Sequence, residues 1–71
     1  MQDITRVIEI VANSKNKTAT FTKLKNNKAK VEIYLEDKKT RYRLTFKSQH
    51  SAKNFLDIVN IKNYKIINEI K

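Results

Sequence analysis

The sequence predicts a small α+β domain in which an antiparallel sheet is covered on one face by a helix. Polar breaks at residues 13–17, 26–28 and 36–39 separate stretches rich in β-branched and aromatic residues, at a spacing that suits successive short strands. Residues 30–47 alternate between apolar and polar on both sides of the last break. From Ser48 onward the apolar residues recur at helical spacing instead, which indicates a helix after the strands.

Residues 4–12 fit two structures. Their apolar residues recur at i, i+3, i+4, i+7 and i+8, as on one face of a helix. The same stretch is rich in Ile, Val and Thr, which lose side-chain freedom in a helix and fit a pleated sheet better. We favour a strand, which gives the order β-β-β-β-α. The alternative is a helix, which gives α-β-β-β-α.

Residues 18–25, TATFTKLK, are predicted to form the next strand because of their threonines and Phe21. The strand has two possible phases: either Ala19 and Phe21 face the core, or the threonines and Leu24 do. The hairpin that follows has one phase only. Its apolar positions face the core, and they are Val31, Ile33, Leu35, Tyr42, Leu44 and Phe46.

The predicted helix carries an apolar stripe formed by Ala52, Phe55, Leu56 and Val59. Ser48 or Ser51 can supply its N-cap, and Asn60 or Asn63 can end it. Residues 64–71 form either a final edge strand or more helix, and we favour the strand. The sheet therefore has four strands, or five with this one.

Composition limits the possible classes of protein. A chain of 71 residues forms one domain, residues 1–71, with a thin core that a homodimer would enlarge. It contains no Cys, Gly or Pro, which excludes disulfides, thiolate metal sites and glycine-rich phosphate loops. Its turns must use residues such as Asn and Asp, which tolerate left-handed backbone. With no apolar run long enough to span a bilayer, we expect a cytoplasmic protein that has no membrane partner.

No catalytic constellation is visible. The single histidine, His50, has no acidic pair at metal-ligand spacing around it, so we expect no cofactor and no metal. A metal-free ribonuclease would need a general acid or base beside cations, and His50, Tyr42, Arg41 and Arg43 are the available residue types. Nothing in the sequence brings them together, so we expect a protein that is not an enzyme.

The net charge of +9 predicts attraction to a polyanion. Strand alternation places the cations of residues 39–47 on the side opposite the core, about 7 Å apart at every second residue. Tyr34 shares that side, and Phe21 joins it in one of its two phases. Aromatic rings among cations suit single-stranded nucleic acid, because bases stack on rings while cations follow phosphates. The predicted site consists of Phe21, Lys23, Lys25, Lys30, Tyr34, Arg41, Arg43 and Lys47.

The sequence therefore predicts a small, non-catalytic nucleic-acid-binding protein of low sequence specificity, acting on single-stranded DNA or RNA as a possible homodimer. The alternative is a small protein of the kind encoded by viruses or plasmids, which would bind an acidic surface of a host protein with the same face. In element order, four strands and a helix are similar to dimeric single-strand binders of the PUR type. The order α-β-β-β-α is similar to double-stranded-RNA-binding domains, although this chain lacks their glycines and the Lys-Lys start of their last helix.

Overall fold

The computed structural model describes residues 4–69. The elements follow one another as α1 (Ile4–Asn13), β1 (Lys17–Lys23), β2 (Ala29–Leu35), β3 (Thr40–Phe46), α2 (Gln49–Ile58) and β4 (Lys65–Asn68). The strands form one sheet in the order β3-β2-β1-β4. The α+β class, the four-stranded sheet with a helix on one face and the final edge strand are confirmed.

The prediction of a strand for residues 4–12 is wrong, because this stretch is the helix α1. Its stripe buries Val7 and Val11, which are 3% and 0% exposed, against the rest of the core. Burial of an amphipathic face outweighs the modest helix propensity of β-branched residues. The observed order begins α-β-β-β-α, which was the alternative.

The sheet is mixed, which corrects the prediction of an antiparallel one. Strands β1, β2 and β3 form an antiparallel meander. Strand β4 pairs with β1 in parallel, with Thr20 opposite Lys65 and Lys23 opposite Asn68. Parallel pairing follows from the helix α2, which carries the chain from one edge of the sheet to the other.

One face of the sheet forms the core with both helices. The register aligns Phe21 with Val31 and Val31 with Leu44, so residues of this parity point to the same side. They pack with buried residues of α1 and α2, among them Val11 and Phe55. The phase of β1 is thereby settled, with Ala19 and Phe21 facing the core. Both helices lie on this side, and within residues 4–69 no helix covers the other side.

Asparagine takes the place of glycine in the tight turns, as the composition predicts. Asn26 and Asn27 have φ values of 61° and 62°, and the N–H of Lys28 donates to the carbonyl of Lys25 at 3.3 Å. Two positive φ values across such a bond define the type I′ turn that fits the twist of a hairpin. Lys39, with φ of 49°, takes the same conformation between β2 and β3.

Helix α2 has a defined cap at each end. At its start the Ser48 hydroxyl accepts a hydrogen bond from the backbone N–H of His50 at 3.1 Å, as predicted. At its end Asn60 has φ of 62°, and the N–H of Ile61 donates to the carbonyl of Leu56 at 2.9 Å. This is a Schellman arrangement, and the buried side chains of Ile61 and Leu56 belong to the core. Asn60 is thus one of the two predicted helix ends.

A single ammonium group joins the C-terminal ends of the two helices. Lys17 Nζ donates to the carbonyls of Val11 and Ala12 in α1, at 3.0 and 3.2 Å, and to the carbonyl of Val59 at the end of α2, at 2.9 Å. A cation is favoured where helix dipoles present unpaired carbonyls, and here it serves two helices at once. Lys17 therefore fixes how α1 and α2 converge.

Neither α1 nor α2, the helices of residues 4–69, is long and apolar enough to cross a membrane.

Candidate functional site

The uncovered side of the sheet, which we call the outer face, consists of alternate residues of all four strands. Its members are Thr18, Thr20, Thr22, Lys30, Glu32, Tyr34, Arg41, Arg43, Thr45, Lys65 and Ile67. The cations of this set outnumber its one acid, Glu32, and the rest are mainly threonines. The outer face is therefore an open, positively charged surface with several hydroxyl groups, although Thr22, between Lys30 and Ile67, is only 3% exposed.

Tyr34 and Arg41 form a cation–π pair at one end of the outer face. The guanidinium carbon of Arg41 lies 5.6 Å from the centre of the Tyr34 ring, within the range of a cation–π interaction. The two residues are direct cross-strand neighbours, and Thr18 completes their row on β1. They border a shallow hollow of about 180 Å³ that Thr18, Thr20, Glu32, Ile33, Tyr34 and Arg41 line.

The middle of the outer face carries its one acid beside a cation. Arg43 Nη2 lies 3.7 Å from Glu32 Oε2, and the two residues are direct cross-strand neighbours. The Arg43 side chain is 64% exposed and that of Glu32 is 29% exposed, so water screens the pair and it contributes little to stability. Arg41 interacts with Tyr34 rather than with an acid.

The structure brings half of the predicted site residues together. Lys30, Tyr34, Arg41 and Arg43 lie side by side on the outer face. Three others lie at the end of the sheet: Lys25 is exposed in the β1–β2 turn, and Lys47 is exposed just after β3. Lys23 ends β1 on the parity of Phe21, so its side chain starts from the helix side of the sheet.

Phe21 does not lie on the outer face, so the phase of β1 that placed it among the site residues is wrong. Its side chain is 0% exposed, and its ring lies 6.0 Å from that of Tyr64, measured between centres. The register places it opposite Val31 on the core side. The aromatic residue of the outer face is therefore Tyr34.

Two residues of the outer face come from β4, which the sequence analysis did not place beside β1. Lys65 lies beside Thr20, and Ile67 lies beside Thr22, because β4 pairs with β1. This parallel register joins residues far apart in sequence, and no local pattern indicates it. The threonines of β1 did carry a signal, since they alternate with Ala19 and Phe21 along the strand.

Further lysines extend the positive surface beyond the strands. The backbone N–H of Gln49 donates to the carbonyl of Asn27 at 2.7 Å, which ties the start of α2 to the β1–β2 turn. Lys25, Lys28 and Lys47 are therefore close to one end of the sheet, and Lys30 links that end to the outer face.

Among residues 4–69, no three His, Asp or Glu side chains lie together so that they could hold a metal ion. His50 is exposed in the first turn of α2.

Comparison of the chain with protein-family models, with curated proteins and with solved structures finds no match. The similarity to double-stranded-RNA-binding domains is thus one of element order alone.

Proposed function

We propose that the outer face binds single-stranded nucleic acid, DNA or RNA, with low sequence specificity and without catalysis. The observation that carries the proposal is the Arg41–Tyr34 cation–π pair on an open sheet face that is positively charged. Such a surface offers the two things that a single strand needs, which are charges for its phosphates and flat groups for its bases.

The Arg41–Tyr34 pair suggests how a base is held. The Tyr34 ring and the Arg41 guanidinium lie side by side on the open face, and a base can stack on either planar group. Lys30, Arg43 and Lys65 then lie within the same face to contact phosphates. A duplex hides the faces of its bases, so this arrangement favours unpaired strands.

The experiment is a fluorescence anisotropy titration with single-stranded DNA, single-stranded RNA and duplex DNA of equal length, at several salt concentrations. We expect single strands to bind more tightly than the duplex, with affinity that falls as salt rises. Replacing both Arg41 and Arg43 with Gln should lower the magnitude of the salt slope by about 0.7 for each phosphate that the variant no longer neutralises. The matched control replaces both Lys38 and Lys39 with Gln, in the exposed β2–β3 turn outside the outer face.

Tyr34→Ala separates stacking from charge. It should weaken binding while leaving the salt slope nearly unchanged, because stacking releases no counterions. An unchanged affinity and slope in the double Gln variant would exclude the outer face as the site. Failure to bind any of the three nucleic acids at low salt would contradict the proposal and favour an acidic protein surface as the partner.

A further inference from the structure

Strand β4 presents an apolar sheet edge to solvent. It lies at one end of the strand order, and no strand of residues 4–69 lies beyond it. All four of its residues are exposed, with Ile66 at 54% and Ile67 at 37%. Such an edge is a template on which another strand can pair.

The hydrogen bonds show which backbone groups of β4 point outward. The N–H of Glu69 donates to the carbonyl of Lys23 at 3.1 Å, so the backbone N–H of Glu69 points toward β1. The side toward which the N–H and C=O groups point alternates from one residue of a strand to the next. The N–H and C=O groups of Ile67 and Lys65 therefore point toward β1 as well. The N–H and C=O of Ile66 therefore point away from the sheet.

The opposite edge is less suited to self-pairing. Strand β3 carries Arg41 and Arg43 near its middle, and Lys47 follows it closely. Two copies of β3 side by side would bring these like charges together, which is unfavourable. Strand β4 and its next residue carry one charge of each sign instead, Lys65 and Glu69.

We propose that two copies of this chain form a dimer by antiparallel pairing of their β4 strands, with the two-fold axis at Ile67. In this register Ile67 faces Ile67 of the second copy, and Lys65 of each copy faces Glu69 of the other. Opposite charges directly across a strand pair are favourable, and the two-fold axis produces the pair twice. The two apolar Ile67 side chains meet at the axis.

Charge and side-chain parity select this register. A shift of one residue would place the core side of one copy on the outer side of the other. A shift of two residues would place Lys65 or Glu69 opposite Ile67 and remove both charge pairs. The chosen register keeps the helices of both copies on one side and joins their outer faces into one surface.

The dimer is weak in this arrangement. A pair of four-residue strands lies at the small end of the range of protein interfaces, so we expect it at high micromolar concentrations. The inference depends on β4 alone and stands whether or not the outer face binds nucleic acid. Its test therefore uses the protein without any nucleic acid.

The test is sedimentation equilibrium of the full chain and of charge-exchanged variants. Lys65→Glu and Glu69→Lys should each raise the dimer dissociation constant about tenfold or more, because each places like charges opposite one another twice. The double variant K65E/E69K should return it to within about threefold of the parent, since the pairs are restored with reversed signs. Lys38→Glu in the β2–β3 turn changes the net charge as Lys65→Glu does and should leave the dimer intact.

Circular dichroism of each variant confirms that it remains folded, as expected for exposed positions. The inference is overturned if the parent is monomeric across the high micromolar range. It is also overturned if the single variants dimerise as the parent does, or if the double variant is as weak as the singles.

Discussion

The two faces of the sheet are built from alternate residues of the same strands, but one face is packed against the helices and the other is exposed to water. On the helix side Phe21, Val31 and Ile33 are 0% exposed, so each must match the shape of its neighbours. On the outer face Tyr34 and Arg43 remain partly or largely open to water. Stability therefore resides on one face, and the other is free to carry charge. Substitutions at neighbouring positions should separate the two roles.

The largest expected effect is on the helix side. Ile33→Ala should lower the free energy of unfolding by about 2–5 kcal/mol, because it leaves a cavity in a thin core. Tyr34→Ala, one residue further along the same strand, should cost about 1 kcal/mol or less. Urea unfolding followed by circular dichroism measures both. Equal reductions would show that the outer face is also packed.

The second effect concerns the ammonium group that joins the helix ends. Lys17→Met keeps most of the aliphatic chain but removes the ammonium donor from the carbonyls of Ala12 and Val59, while that of Val11 keeps only the N–H of Ser14. Hydrogen bonds to charged groups contribute strongly, so we expect a destabilisation of about 2–3 kcal/mol in urea unfolding. Lys15→Met, in the exposed loop before β1, is the matched control and should change stability little. A similar small change for both would mean that Lys17 is merely solvated.

A smaller effect is expected where α2 ends. Asn60 holds a left-handed conformation that alanine adopts with strain, so Asn60→Ala should cost about 1 kcal/mol. Asn60→Gly should be neutral or stabilising, because glycine reaches this conformation freely. Thermal unfolding distinguishes the two, and a destabilisation of the same size in both variants would indicate that the Asn60 side chain, not its backbone, is what matters.

Acid should weaken the contact between the α1–β1 loop and the β2–β3 turn. The Ser14 hydroxyl donates a hydrogen bond to Asp37 and lowers the pKa of that carboxyl below its ordinary value of 3.8. A carboxyl with a lowered folded-state pKa stabilises the protein above its unfolded pKa, and this contribution disappears as pH falls through the folded value. Urea midpoints at a series of pH values should show a steeper fall in acid for the parent than for Ser14→Ala. Parallel curves for the parent and Ser14→Ala would show that this hydrogen bond does not lower the pKa of Asp37.

The sequence predicts an element of this fold well where the residues of that element alone determine its structure. The hairpin of β2 and β3 follows from its own alternation, and α2 follows from its period and caps. Residues 4–12 were predicted wrongly because single-residue preference and amphipathic pattern disagreed there, and burial of Val7 and Val11 decides the outcome.

The candidate site shows the same dependence. Tyr34 and Arg43 could be placed from the phase of their own strands. The position of Phe21 depends on which neighbour its strand pairs with, and its pairing with Val31 places it in the core. Lys65 reaches the outer face, and Lys17 reaches the end of α2, only through contacts distant in sequence. Such contacts are properties of the assembled fold.

The smallest expected effect on stability belongs to the acid of the outer face. Glu32→Gln removes a solvent-screened pair with Arg43, and we expect a change within about 0.5 kcal/mol in urea unfolding. The same substitution should strengthen the binding of single-stranded nucleic acid several-fold. It removes a negative charge from the row that runs from Arg43 through Glu32 and Thr20 to Lys65, and it frees Arg43 to contact a phosphate.

The salt dependence distinguishes a local effect from a general one. A new contact between Arg43 and a phosphate should raise the magnitude of the salt slope by about 0.7. Glu36→Gln in the exposed β2–β3 turn removes the same charge outside the outer face and is the matched control. If both variants tighten binding equally, only the net charge of the protein matters and the bound nucleic acid does not cross Glu32. A gain confined to Glu32→Gln would place the bound strand over the middle of the outer face, where a substitution that hardly alters folding alters binding most.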